Sequence, residues 1–483
     1  MIEKIDNFVD GIITDEAVSD SQMPGTGVRL GINVNFDRRG AIQGRPGMTA
    51  LNGQIIASKP CLGLHNALFS NSSYNQLLVV LSDGTNNDVY YKNGASWTKT
   101  LEDDTKDLKT RFITFLDRVI RVNGTDTAQA WDGNAGAWSQ YAGTSAGNLN
   151  LDDMDSYKFN LIEGFKLRLY AAGDSNFPDR LYYSSVVTAT RYITWTPATD
   201  WVDVNPNDGD NLTAIKRFGL NLLIFKSNFL YRYRGIADMD PEPLISVGTH
   251  SQESVVSTKV GVFFHHPGSS AIYLYTGGYP NEVSLPISPF LSAVTYANYD
   301  DIVGWSDSDH VYFSIGDVTV GGVAFTNIVL RRTLSSEVWA IYSTGSEIKK
   351  ASSYNSGSVI STVVGDDDGY VLTFNSGTTD NGSPIHYKII TKWYELGALS
   401  NTFALRKMAA LCDKAQASFL YCQMDETDGR WIPLGELKKY LNIIKKEVVG
   451  HRIRFKLTGS SRVEPFIFNG IEILEGLDMG VIE

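Results

Sequence analysis

The chain has 483 residues, of which 43% are hydrophobic, 20% charged and 11% aromatic, with 44 glycines. This composition excludes a disordered or low-complexity protein, and the length gives two to four domains or one large β architecture with an appendage. The net charge of −12 is uneven: residues 384–483 hold fourteen Lys/Arg and twelve Asp/Glu, leaving 28 and 42 for the rest, an acidic body that argues against sequence-specific DNA binding through a basic face.

The N-terminus MIEKIDNFVDGIITDE carries acids early and has no apolar core of signal-peptide length. No run of 18 apolar residues follows anywhere, and the three cysteines, Cys61, Cys412 and Cys422, form no Cys-x-x-Cys pair. These features predict a soluble chain made in a reducing compartment, without membrane insertion. Farther along, Asn33, Asn35 and Asp37 alternate with Val34 and Phe36, as a half-buried strand does, and Gly40, Gly44, Pro46 and Gly47 mark a turn and a stop.

From about residue 61 the chain repeats itself. QLLVVLSDG, DVYYKNG and Trp97 make an apolar strand, a turn, a Tyr-rich strand, a second turn and a Trp; FITFLDRVIRVNG, AQAWDG and Trp138 repeat those parts. Equivalent positions fall at Tyr91, Trp131, Tyr182, Tyr231, Tyr275, Val329 and Leu372, separated by 40, 51, 49, 44, 54 and 43 residues. A strand-built repeat of this length is the mark of a β-propeller, because a four-stranded blade has two apolar faces and buries both only between neighbours. Six to eight blades are predicted over 61–383, and a β-sandwich with barrels is the competing architecture.

Residues 1–60 and 384–483 lack the blade pattern. The first is read as an arm and strand, the second as a β-rich platform domain that the first joins, since a 60-residue piece buries too little alone. Within 434–449, Leu434, Leu437, Leu441 and Ile444 have helical spacing and predict the chain's one good helix.

Chemistry finds little to stand on. Gly143-Thr144-Ser145-Ala146-Gly147 fits the nucleophile-elbow pattern, but it lies in a small-residue loop with no helix after it. Asp366, Asp367 and Asp368 before Gly369 read as a hairpin turn, with a weak calcium site as the alternative. His265 and His266 are adjacent on a strand and point to opposite faces; His65, His250, His310, His386 and His451 are isolated. Lys438, Lys439, Lys445, Lys446, Arg452, Arg454 and Lys456 form the densest basic region, read as a solvated face or a partner contact. No catalytic, cofactor or metal residues are assigned, and the chain is read as a non-enzyme.

The stretch Gly31-Ile32-Asn33-Val34-Asn35-Phe36-Asp37-Arg38-Arg39-Gly40-Ala41-Ile42, ending in Arg45-Pro46-Gly47-Met48, resembles the N-terminal signature of the tail nozzle, or packaged-DNA stabilisation, proteins of short-tailed bacteriophages. Near the other end, Lys392-Trp393-Tyr394-Glu395-Leu396-Gly397, the run Arg452 to Ser461, and Pro465-Phe466-Ile467-Phe468-Asn469-Gly470 resemble that family's closing strands. The resemblance spans both ends and the blade-like middle. It implies a propeller hung on a platform built from both chain ends, and a homo-oligomeric ring, commonly a hexamer. That ring would sit in the virion tail, made in the host cytoplasm, below the portal and adaptor proteins and beside tail fibres or spikes. It would retain genomic DNA and conduct it at ejection. Two other readings stand beside it. One is a carbohydrate-binding propeller for a host receptor, stacking sugars on Trp97, Trp138, Trp195, Trp201 and Trp305; the other is a hydrolase using Ser145 or the Asp366–Asp368 turn.

Overall fold

The computed structural model describes residues 4–481 apart from 16, 37–38, 71–74, 135–136, 236–239, 358, 398–400, 416 and 426–428; Asp37 and Arg38 of the N-terminal signature therefore lie outside the described residues. Seven small antiparallel strand sets follow one another along the chain, each a blade; the first five are separate sheets, and the last two run on into the platform. The first has four strands, Cys61–Leu68, Asn75–Ser82, Asn86–Asn93 and Ser96–Thr105, paired in sequence order. The second has three, Arg111–Phe115, Arg118–Val122 and Gln129–Trp131, with an isolated Ala130–Ser139 bridge beside the third. Blades three to six begin at Leu161, Leu212, Val256 and Val303 and have four strands each.

The first strand of each blade faces the axis. Cys61–Leu68 touches Arg111–Phe115, which touches Leu161–Phe165, which touches Leu212–Phe218; the Gln252–Ser254 turn and Val303–Ser306 carry the circle to Ile348–Asn355, which returns to Cys61–Leu68. The fold is a closed seven-bladed β-propeller. Its blade faces explain the sequence pattern. In the first blade Leu77, Val79 and Leu81 pack against Val363 and Val371 of the seventh, while Leu78 and Val80 pack against Val119 and Trp131 of the second. Alternate residues thus serve opposite neighbours, so the strand reads as a continuous apolar run. The seven repeat positions from Tyr91 to Leu372 all fall on the third strand of their blades.

The seventh blade borrows its last strand. Ile348–Asn355, Ile360–Asp366 and Val371–Phe374 are joined by Met48–Ala50, with Leu372 opposite Ala50 and Phe374 opposite Met48. A boundary at residue 60 therefore does not divide the propeller from the rest: this strand of the N-terminal region belongs to the last blade. The sixth blade is continuous with the platform in a different way. Its outer strand Trp339–Ser343 meets Gly27–Ile32 in parallel, and Gly27–Ile32 pairs with Ser383–Thr391. Beyond it lie Arg452–Ser461, Ser418–Met424 and Ile432–Leu437. A second platform sheet runs Tyr440–Gly450, Asn401–Lys414, Ile467–Val481, Ile42–Gly44, Val34–Phe36, with Lys4–Ile5 on Ile467–Val481. The two sheets enclose Phe403, Leu405, Met408, Phe455, Leu457 and Phe468 among others.

The helix expected over 434–449 is two strands, Ile432–Leu437 and Tyr440–Gly450. Four β-branched residues, Ile443, Ile444, Val448 and Val449, favour extended backbone, Gly435 sits at φ 132°, and the chain turns at Lys438–Lys439. Ile444 and Val448, four apart, are buried together on one strand face as they would be on a helix, but Leu441 points to solvent. The only α-helix among the described residues is Ser288–Ser292. No described helix is long and apolar enough to cross a membrane.

Candidate functional site

Two polar centres draw residues from distant parts of the chain. The first lies at the junction of propeller and platform. Asn33 is buried, in left-handed backbone at φ 60°, and its short amide spans three elements. Its Oδ1 accepts from Arg45 Nε (2.7 Å) and from the Ser343 amide (2.8 Å), and its Nδ2 donates to the His386 carbonyl (2.7 Å). Arg45 is also buried. Its guanidinium meets both carboxylate oxygens of Asp380 and donates to the carbonyls of Pro46 (2.9 Å) and Ser343 (3.1 Å). Asn35 Oδ1 accepts from Arg331 (2.8 Å) and from the Tyr342 hydroxyl. A Cβ on Gly47 would stand 2.1 Å from the Thr379 carbonyl oxygen, so only glycine lets these two backbones touch. Asn33, Asn35, Arg45 and Gly47 form a clasp that holds blades six and seven to the platform.

The second centre lies on the propeller axis, in a cavity of about 360 Å3 lined by the inner strands. Glu253 projects into it and bridges the second and seventh blades. Its carboxylate accepts from Arg111 Nε and Nη2 (3.0 Å each) and from Lys350 Nζ (2.7 Å). Burial works to raise the Glu253 pKa, but the two cations outweigh it and hold the carboxyl well below its ordinary value. Burial pulls Lys350 below the ordinary lysine range despite Glu253, and brings the neighbouring His65 down to about 4. A carboxylate fixed in its ionised form between two cations is a strut across the axis rather than a proton carrier near neutrality. No local motif announces these three residues, Glu253 lying 142 positions from Arg111 and 97 from Lys350; only the blade register shows that all three face inward.

The residues singled out from the sequence scatter. Ser145 is exposed in a loop that leads to a single 3-10 turn at Leu151–Met154. Each carboxylate of the Asp366–Asp368 turn accepts protein hydrogen bonds. Asp366 takes the Ser346 hydroxyl and the amides of Asp368 and Tyr370; Asp367 takes the Glu347 amide, and Asp368 the Ser58 amide. The turn thereby pins the segment leading out of Met48–Ala50. His265 turns to the ring of Tyr299, which His250 also approaches, while His266 Nδ1 lies 3.0 Å from the Gly248 carbonyl oxygen. Burial pulls His265 down to about 3. His310 pairs with Asp307 (3.0 Å), and His386 and His451 serve platform hydrogen bonds. Among the described residues no three His, Cys, Asp or Glu side chains converge as metal ligands do.

Of the tryptophans proposed to stack on sugars, Trp138, Trp195 and Trp305 are buried in the core, Trp97 is half-buried, and the Arg180 guanidinium lies 3.8 Å over Trp201. Aromatic rings at blade spacing serve packing here. The basic region divides in two. Arg454 lies over Trp393 and Trp431, and Lys456 over Trp431 and Tyr421, at 4.4 to 5.2 Å, so these cations are turned onto ring faces. Lys445 and Lys446 stand exposed on Tyr440–Gly450, just after the Lys438–Lys439 turn.

No protein-family model and no curated protein sequence matches this chain. Among solved structures it is similar to YCF48 bound to D1 peptide, at 13% identity and TM-score 0.40, over 68% of this chain and 99% of that one. It is also similar to the Neurospora crassa Pan2 WD40 domain, at 9% identity and TM-score 0.41, over 68% of this chain and 95% of that one. At such similarity the propeller assignment rests on the seven blades themselves.

Proposed function

We propose that this chain is a structural subunit of the tail of a short-tailed phage, a nozzle that forms a ring beyond the portal and adaptor, retains packaged DNA and conducts it at ejection. The observation that carries this reading is the place of the residues that resemble the nozzle family. Asn33, Asn35, Arg45 and Gly47 form the clasp between propeller and platform, and Arg452–Ser461 and Ile467–Val481 are central platform strands. The resembling residues thus build the two-part architecture that such a ring requires.

The axial strut constrains the path of the DNA. With Arg111, Glu253 and Lys350 joined across the centre of the propeller, the duplex runs between subunits and not through a blade ring. The −14 balance of residues 1–383 then favours walls that repel phosphate and leave the duplex hydrated and free to slide. Electron microscopy of the purified full chain tests the reading. Closed rings with an open centre are expected, with more acid than base on the lumen; a protein that stays monomeric at tens of micromolar overturns it, and a lumen lined mainly by Lys and Arg overturns the sliding wall.

A further inference from the structure

Among the described residues the second platform sheet has one end strand open along its length, Tyr440–Gly450, and one interior strand, Ile467–Val481, whose second side is covered only in part. Tyr440–Gly450 pairs with Asn401–Lys414 on one side and with no strand on the other among the described residues. Ile467–Val481 pairs with Asn401–Lys414 along its length, but its second side is covered by Ile42–Gly44 and Lys4–Ile5 only as far as Glu472. From Ile473 onward no strand among the described residues pairs with that side. Long strand edges of this kind are templates for another strand. Both carry exposed apolar side chains: Leu441 (61%) and Ile443 (47%) on one, Leu477 (49%) and Met479 (52%) on the other.

Their charges are opposite. Lys438, Lys439, Lys445 and Lys446 flank or lie on the first edge, where the one acid, Glu447, pairs with Arg406. The second carries Glu472, Glu475 and Asp478 and no base. We propose that copies of this chain join head to tail, Ile467–Val481 of one adding as a parallel neighbour to Tyr440–Gly450 of the next. Pairing like edges across a two-fold axis would set lysines against lysines or acids against acids, whereas the head-to-tail contact sets base against acid. The strand directions agree. Both edges run antiparallel to Asn401–Lys414 and hence parallel to each other, and rotation about an axis along the strands preserves direction from copy to copy. Edge lysines alone are also the ordinary guard against pairing; the acidic stretch on Ile467–Val481 of the same sheet is what marks them as half of a contact. Closure of this contact into a ring rests on the nozzle reading above.

Light scattering on size-exclusion fractions of the full chain tests the contact. The native chain is expected to elute as an oligomer. Lys445→Glu with Lys446→Glu, and separately Glu475→Lys with Asp478→Lys, are expected to reduce it to single chains of unchanged far-UV circular dichroism. Mixing the two variants, or combining all four substitutions in one chain, is expected to restore the oligomer. An oligomer that survives both paired substitutions overturns the edge contact and leaves the ring reading standing. Monomers that the four-fold swap does not rescue overturn the charge-matched, head-to-tail arrangement. A native chain that is itself monomeric overturns the contact and the ring reading together.

Discussion

Asn33 is the residue on which the two halves of the molecule most directly depend. Asn33→Ala removes the acceptor for Arg45 Nε and the Ser343 amide and the donor to His386, all buried, and puts alanine in left-handed backbone that asparagine tolerates better. A loss of about 3 kcal/mol or more is expected in denaturant unfolding; Asn35→Ala, with two partners at a half-buried site, should cost less. At the axis, the folded-state pKa of Glu253 lies below its unfolded value near 4.5. Its contribution is therefore complete above that value and is lost as pH falls through the folded value. Glu253→Gln should cost about 3–5 kcal/mol at pH 7 by leaving Arg111 and Lys350 without their anion, and the gap between variant and native protein should narrow as the pH drops below 4. Urea midpoints at pH 7 and pH 3.5 read both effects. Burial pushes the thiols of Cys61, Cys412 and Cys422 each up to about 12, so none should react with a disulfide reagent at pH 8 until the chain unfolds, when all three should.

At the scale of strands, what could be read from the sequence was whatever repeats. Tyr91, Trp131, Tyr182 and their equivalents mark the third strand of every blade because that strand packs both faces against neighbouring blades, and the demand returns once per blade. What does not repeat was not legible. Met48–Ala50 is three residues long, and its partner lies more than 300 positions away, so no local pattern betrays it as the closing strand. The 434–449 stretch misled because Ile444 and Val448 share a face at a spacing of four, which suits both a strand and a helix. The clasp residues stood out in the sequence by resemblance, but their roles depend on Asp380, Ser343 and His386, which only the fold brings near. A chain beginning at residue 51 should lose the last strand of the seventh blade and leave buried Asp380 without Arg45. Hydrogen exchange should then speed up in Val371–Phe374 while the inner strands of blades two to four keep their protection; unchanged exchange in Val371–Phe374 would count against the closing role.

For the molecule as a whole, propeller and platform have no simple linker between them. The chain enters through platform strands, lends a strand to the last blade, circles the propeller, and returns to the platform at Ser383–Thr391. Unfolding should consequently be strongly coupled, with Cys61 of the propeller and Cys412 of the platform becoming reactive over the same denaturant range. Separate transitions for the two thiols would show that the clasp transmits less than its hydrogen bonds suggest.

The borrowed strand also sets a timetable. Met48–Ala50 leaves the ribosome about 320 residues before Val371–Phe374, the segment it pairs with. At about 5–20 residues per second, it waits on the order of 15 to 65 s with no ladder to join. Gly27–Ile32 waits as long for Ser383–Thr391. Six blades can be made during that interval, yet none can be sealed into a circle. Birth order and pairing order are thus inverted: segments made before the first blade are among the last to settle. A nascent chain released early, however well its middle has folded, keeps an open seam that a protease or a chaperone can recognise.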